Sequence, residues 1–214
     1  MVPRLIYLHG FASGPQSFKA RYFDRKFTQL GHSLLIPDLN QDSFSDLTLT
    51  RQLHQVQALI HQQPTMPTAL IGSSLGGLTA AWLAETCDAV AKLILLAPAF
   101  GFTTHWLPTL GQETVQRWQQ TGEMSVYHYG YQHVSNLNYA FLEDIRQYED
   151  GALQRQLPTL IIHGVHDDVI PIEASQQFTQ HRPWVTLTEV DSDHSLSNVT
   201  ELMWRSLITF LNLA

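Results

Sequence analysis

One cysteine, Cys87, stands alone in 214 residues, so no internal disulfide can form and a reducing compartment suits the chain. Positive charge is also scarce. Twelve Lys and Arg face nineteen Asp and Glu, a formal net charge of −7, and nowhere do they form the long basic run of a nucleic-acid binder. The one basic cluster, Lys19, Arg21, Arg25 and Lys26, falls on a predicted helix and reads as a solvated face, with an anion contact as the less ordinary alternative. Long apolar runs are missing too: no segment nears the ~18 residues of a membrane span. The opening MVPRLIYLHG has neither the extended apolar core nor the small-residue cleavage site of a secretory signal. The expected location is the cytoplasm. Only 14% of residues are charged, below the roughly 25% of an average domain, yet 44% are hydrophobic, which favours an ordered core over disorder. No internal repeat or low-complexity tract is found, and the length fits a single domain over 1–214.

Apolar runs of strand length alternate with longer segments at helical spacing, the pattern of a mainly parallel sheet with helices on both faces. About six strands are expected, at 4–10, 32–38, 68–73, 91–98, 158–164 and 184–190. Phe18, Tyr22, Phe23, Phe27 and Leu30 gather on one side of a helix closed by Gly31 and are expected in the core. Leu49, Leu53, Val56 and Ile60 repeat the pattern, Leu78 to Cys87 supplies a helix rich in small residues, and Leu202, Met203, Leu207 and Phe210 mark a final one. From about Phe100 to Asp150 no strand-like run occurs, but Trp106, Trp118, Tyr127, Tyr129, Tyr131, Tyr139, Phe141 and Tyr148 do. An insertion of this length is expected to be a helical lid, the plainer reading being extra helices that enlarge the core.

The stretch ALIGSSLGG at 69–77 ends an apolar run in two serines flanked by glycines. Gly72-Ser73-Ser74-Leu75-Gly76 satisfies G-x-S-x-G between a predicted strand and a predicted helix, and spacing selects Ser74 as a nucleophile held on a sharp bend. Neither a Walker loop nor a dinucleotide loop fits the same glycines. A serine hydroxyl needs a base to take its proton and an acid to orient that base. Beyond the strand at 158–164 the loop offers Asp167 and Asp168, of which Asp167 is favoured, with a helix N-cap as the competing role. Beyond the last strand stands His194. Asp191 and Asp193 are too close along the chain to be favoured as its orienting acid. The N–H groups of Leu75 and Phe11 are the expected oxyanion donors, and His9 reads as a residue that pins the Phe11 loop. His163, His166, Asp167 and Asp168 form a zinc-like set, but no H-E-x-x-H pattern accompanies them and a metal would leave the serine turn unexplained.

The motifs IYLHGFASGP, IGSSLGG, HGVHDDVIP and DSDHSL, in this order across nearly the whole chain, resemble an α/β-hydrolase, and within that superfamily the compact bacterial esterase family typified by YqiA and YcfP. The resemblance implies a serine esterase or thioesterase with Ser74, Asp167 and His194 as triad, acting on a small-molecule ester or thioester, with no cofactor; no metal is expected. The antiparallel strands that open larger α/β-hydrolases are expected to be absent. A carbon–carbon bond hydrolase or lyase using the same triad, and a non-catalytic ligand-binding homologue, remain the alternatives at this stage.

Overall fold

The computed structural model describes residues 2–213. Eight strands and eight α-helices follow in the order β1 (Arg4–Leu8), α1 (Phe18–Gln29), β2 (Leu34–Leu35), α2 (Leu49–His61), β3 (Thr68–Ser73), α3 (Leu75–Thr86), β4 (Val90–Leu96), α4 (Phe102–Leu110), α5 (Gln112–Thr121), β5 (Glu123–His128), β6 (His133–Asn138), α6 (Ala140–Ile145), β7 (Thr159–Gly164), α7 (Ile172–Thr179), β8 (Val185–Val190) and α8 (Thr200–Leu211). Six strands form one sheet in the order β2-β1-β3-β4-β7-β8, and every neighbouring pair is parallel. The register Leu5↔Ala69, Ile71↔Ile94 and Ile161↔Leu187 aligns the strands so that their carboxyl ends share one edge. Loops from β1, β3, β7 and β8 therefore open onto the same edge, where ligands bind in open α/β sheets.

Period-two alternation sends each strand's side chains to opposite faces, and both faces are apolar because both are covered. One layer joins Ile6, Leu70, Leu95 and Ile161 of the sheet to α2, α3, α7 and the insertion. The other joins Tyr7, Ile71, Ile94 and Ile162 to α1 and α8. Thr48 caps α2, its hydroxyl accepting the Arg51 N–H at 3.0 Å. No helix among the described residues is long and apolar enough to cross a membrane.

Three expectations need correction. The strand expected over 32–38 narrows to Leu34–Leu35, since Pro37 has no N–H for a ladder and Asp38 turns away to cap the next loop. The insertion is helical as expected in α4, α5 and α6, but it also carries an antiparallel hairpin, β5 with β6, in register from Glu123↔Asn138 to His128↔His133. Its alternation is hard to see in sequence because polar residues fill both faces: Leu137 and His128 are buried while most of its other residues are partly or fully exposed. In α1 only Ala20, Phe23 and Phe27 are buried; Phe18 and Leu30, at the helix ends, are exposed, as is Leu202 in α8.

Candidate active site

Between β3 and α3 the chain reverses in one residue. Ser74 has φ 54° and ψ −119°, a positive φ that a residue with a Cβ adopts only under constraint from its surroundings. Its N–H donates to the Leu96 carbonyl at 2.9 Å, and its own carbonyl accepts from Gly77, Leu78 and Ala99. A Cβ on Gly72 would lie 2.3 Å from the Gly76 carbonyl oxygen, and one on Gly76 would lie 2.2 Å from that of Leu8, so only glycines permit so tight a turn. The two serines part company here. Ser73 ends the strand with its side chain buried beside Tyr7; burial holds the Tyr7 phenol well above its usual range, and the Ser73 and Ser17 hydroxyls act in the opposite direction. Ser74 projects from the carboxyl edge of the sheet, half-buried.

His194 reaches that hydroxyl from 120 residues away, with Nε2 3.0 Å from Ser74 Oγ. Its Nδ1 lies 2.7 Å from Asp167 Oδ2, so the ring bridges hydroxyl and carboxylate. The bridge fixes the neutral tautomer: Nδ1 donates to the carboxylate and Nε2 is left to accept from Ser74. Asp167 Oδ1 accepts the N–H groups of Val169 and Ile170 at 2.9 and 2.8 Å, and the Asp167 side chain is fully enclosed. Burial by itself would raise this carboxyl. Hydrogen bonds from His163 and then His194 outweigh it and hold the group well below the usual carboxylate range. Asp168 is exposed. Asp191 pairs with the exposed ring of His166 at 3.0 Å, and Asp193 accepts from Ser195, so neither competes for His194.

The loop after β1 comes close enough to Ser74 that a Cβ on Gly10 would lie 3.3 Å from the Ser74 Cβ. His9 is buried and holds this loop: its Nε2 accepts the Leu39 N–H at 2.9 Å and its Nδ1 donates to the Gly10 carbonyl at 3.0 Å. The N–H groups of Phe11 and Leu75 donate to no backbone carbonyl or side chain among the described residues. The Phe11 ring packs under the insertion, with centroids 5.4 Å from Trp106 and 5.5 Å from Phe141, and lies 5.6 Å from Phe44 of the segment before α2. The tip of the hairpin rests on the same loop, Tyr129 N–H donating to the Ala12 carbonyl at 2.8 Å.

The zinc-like quartet divides. His163 turns into the core toward Asp167, whereas His166 faces solvent, and among the described residues no group of three or more His, Cys, Asp or Glu is arranged to hold a metal ion. Two residues near the site escaped the sequence reading. Lys19, expected on a solvated face, donates from Nζ to the Ser195 carbonyl at 2.8 Å; burial pulls its ammonium down to about 8, with the charges of Asp167 and Asp193 acting in the opposite direction. His163 stands in the sequence only as a strand end and a member of the zinc-like set. The usable signal is its parity with Ile161, which puts an imidazole on an apolar face where it must find partners.

A family model described as "Uncharacterised protein family (UPF0227)" matches residues 4–212. The human protein named palmitoyl-protein thioesterase ABHD10, mitochondrial, is 26% identical over 216 residues, covering 94% of this chain and 69% of its own length. Among solved structures, Est1E from Butyrivibrio proteoclasticus with ferulic acid bound superposes with a TM-score of 0.82 at 22% identity, over 98% of this chain and 88% of that one. Mouse α/β hydrolase domain-containing protein 10 gives 0.82 at 21% identity, over 99% and 90%. The shared architecture is the α/β-hydrolase fold.

Proposed function

The chain belongs to the UPF0227 family, and from that premise we propose that it is a serine esterase or thioesterase that cleaves a small-molecule acyl ester through an acyl-enzyme. One observation carries this reading: a single imidazole spans 3.0 Å to Ser74 Oγ and 2.7 Å to Asp167 Oδ2. His194 takes the Ser74 proton as Oγ attacks the carbonyl carbon, and the Asp167 carboxylate steadies the imidazolium that results. The carbonyl oxygen gains negative charge where the Phe11 and Leu75 N–H groups are free to receive it. His194 then protonates the departing alcohol or thiol. In the second half it takes a proton from water, whose oxygen attacks the acyl carbon, and Ser74 leaves as the hydroxyl.

The insertion over about 100–150 acts as a lid on a single catalytic domain. Its aromatic packing on Phe11 favours an apolar acyl group, and likeness to the palmitoyl-protein thioesterase ABHD10 supports thioesters beside oxygen esters. The reading needs no cofactor and no metal. The lone buried thiol Cys87 supports a reducing compartment such as the cytoplasm.

Labelling with a serine-directed fluorophosphonate, followed by turnover of an ester and thioester chain-length series, tests the assignment. Ser74→Ala should abolish labelling and reduce kcat by at least about 10³-fold. Ser73→Ala should keep both. Equal survival of the two variants would refute the proposal.

A further inference from the structure

One buried polar side chain beside Asp167 has no part in the acyl transfer just described. His163, wholly buried at the end of β7, places Nε2 3.0 Å from Asp167 Oδ2 and 2.9 Å from the Ile170 carbonyl oxygen. Both neighbours are acceptors, so Nε2 carries the proton. On the far side, Nδ1 lies 2.7 Å from the hydroxyl of Ser175, itself wholly buried on α7 and with no other hydrogen-bond partner among the described residues. Nδ1 is thus committed to the Ser175 hydroxyl and Nε2–H to Asp167 and Ile170, so each ring nitrogen has a partner.

Resting on the esterase reading, we propose that His163, held in this orientation by Ser175, is the positioning residue for Asp167. Its Nε2–H and the Nδ1–H of His194 share one carboxylate oxygen, while the other oxygen is clamped by the Val169 and Ile170 N–H groups. Four donors thus fix the carboxylate plane, and the imidazole opposite His194 stops Oδ2 from swinging out of line. A buried carboxylate oxygen left with one donor would carry both a desolvation cost and freedom to rotate. The other charges that bear on Asp167 are Lys19 of α1 and Asp193 of the His194 loop. The exposed His166 belongs to Asp191 instead.

His163→Leu removes the donor at similar volume, and His163→Gln restores an N–H on a longer arm. With folding checked by circular dichroism, His163→Leu in the full chain should lower kcat about tenfold and leave KM within about twofold, since His163 does not touch substrate. With less of its charge claimed by His163, Oδ2 binds the His194 imidazolium more strongly, so the acid limb of kcat/KM moves to higher pH. His163→Gln should recover most of the rate and the original limb. A folded His163→Leu with parental kcat and an unmoved limb overturns the proposal. A measurement on the unaltered protein stands independently: ¹⁵N histidine spectra should show His163 protonated at Nε2, and a ring protonated at Nδ1 alone also overturns it. Failure of the esterase reading looks different, because Ser74→Ala would then keep its turnover.

Discussion

A single added carbon decides much at this site, because the loops bearing Asp167 and His194 touch through backbone. Gly164, the last residue of β7, lies under the His194 loop so closely that a Cβ there would be 2.3 Å from the Ser192 carbonyl oxygen and 2.7 Å from that of Asp193. Those are the two residues before His194. Gly164→Ala must therefore push that loop outward, and a displacement of roughly 1 Å at the proposed base His194 is worth about 10² in rate. We expect a kcat loss of that order with KM little changed, measured on a small activated ester. Gly31→Ala is the matched control: Gly31 has φ +76° past the end of α1 and nothing within 4 Å of its would-be Cβ. It should cost about 1 kcal/mol of stability through the left-handed backbone and leave kcat unaltered. Equal kinetics for the two variants would show that loop contact does not set the His194 position.

At the scale of elements, the ends of the insertion meet in one hydrogen bond. Gly101 N–H, just before α4, donates to the carboxylate of Asp150 at 2.5 Å, closing a 49-residue excursion beside a cavity of about 260 Å³ lined by Leu78, Phe102, Tyr148 and Asp150 among others. Burial pushes the Asp150 carboxyl up to about 6, against the Gly101 N–H and the Arg182 charge, which favour the anion. Between its ordinary value and 6 the folded protein holds a proton that the unfolded chain has lost, so this group's contribution to stability falls as pH rises through that window. Asp150→Asn keeps an acceptor for Gly101 and removes the penalty. It should raise Tm at pH 7.5 by a few degrees, corresponding to about 1–2 kcal/mol after allowance for solvent around a half-buried group, and change little at pH 4. Thermal unfolding of both proteins at the two pH values measures it, and stabilisation at pH 4 alone would contradict it. The same insertion marks where sequence stops being informative. The strands β1, β3, β4 and β7 were legible because burial on both faces leaves continuous apolar runs such as LIYL and LIIHG, and turn glycines bound them. The hairpin β5–β6 was not, since its periodicity rests on Met124, Val126 and Leu137 among Ser, Asn and His. Ser74, Asp167 and His194 could be singled out because each occupies a loop at a strand's carboxyl end. His163 and Lys19 could not, since their roles arise only when β7 meets α7 and α1 meets the β8 loop.

For the molecule as a whole, the sheet separates two apolar layers with different duties. The layer under α2, α3, α7 and the insertion contains Leu75 and the aromatic packing on Phe11, while the layer under α1 and α8 carries no part of the insertion. Packing density transmits strain only where atoms touch, so damage in the second layer should cost stability before chemistry. Trp204 of α8 tests this. It is 6% exposed, meets Phe27 edge-on at a centroid distance of 5.0 Å, and has Lys26 Nζ over its ring at 5.7 Å. Phe27 lies two turns along α1 from Lys19, the nearest point of that helix to the His194 loop in the contacts described. Trp204→Ala removes a large ring and leaves a cavity, worth about 3 kcal/mol, which lowers Tm by about 8 °C for a chain of this length. The remaining stability of a domain normally in the 5–15 kcal/mol range keeps most molecules folded at 20 °C. There kcat and the rate of phosphonate labelling should stay within about twofold of the parent. A labelling rate that falls in proportion to the lost stability would mean that the sheet couples its two faces, and that the geometry around Ser74 depends on both layers equally.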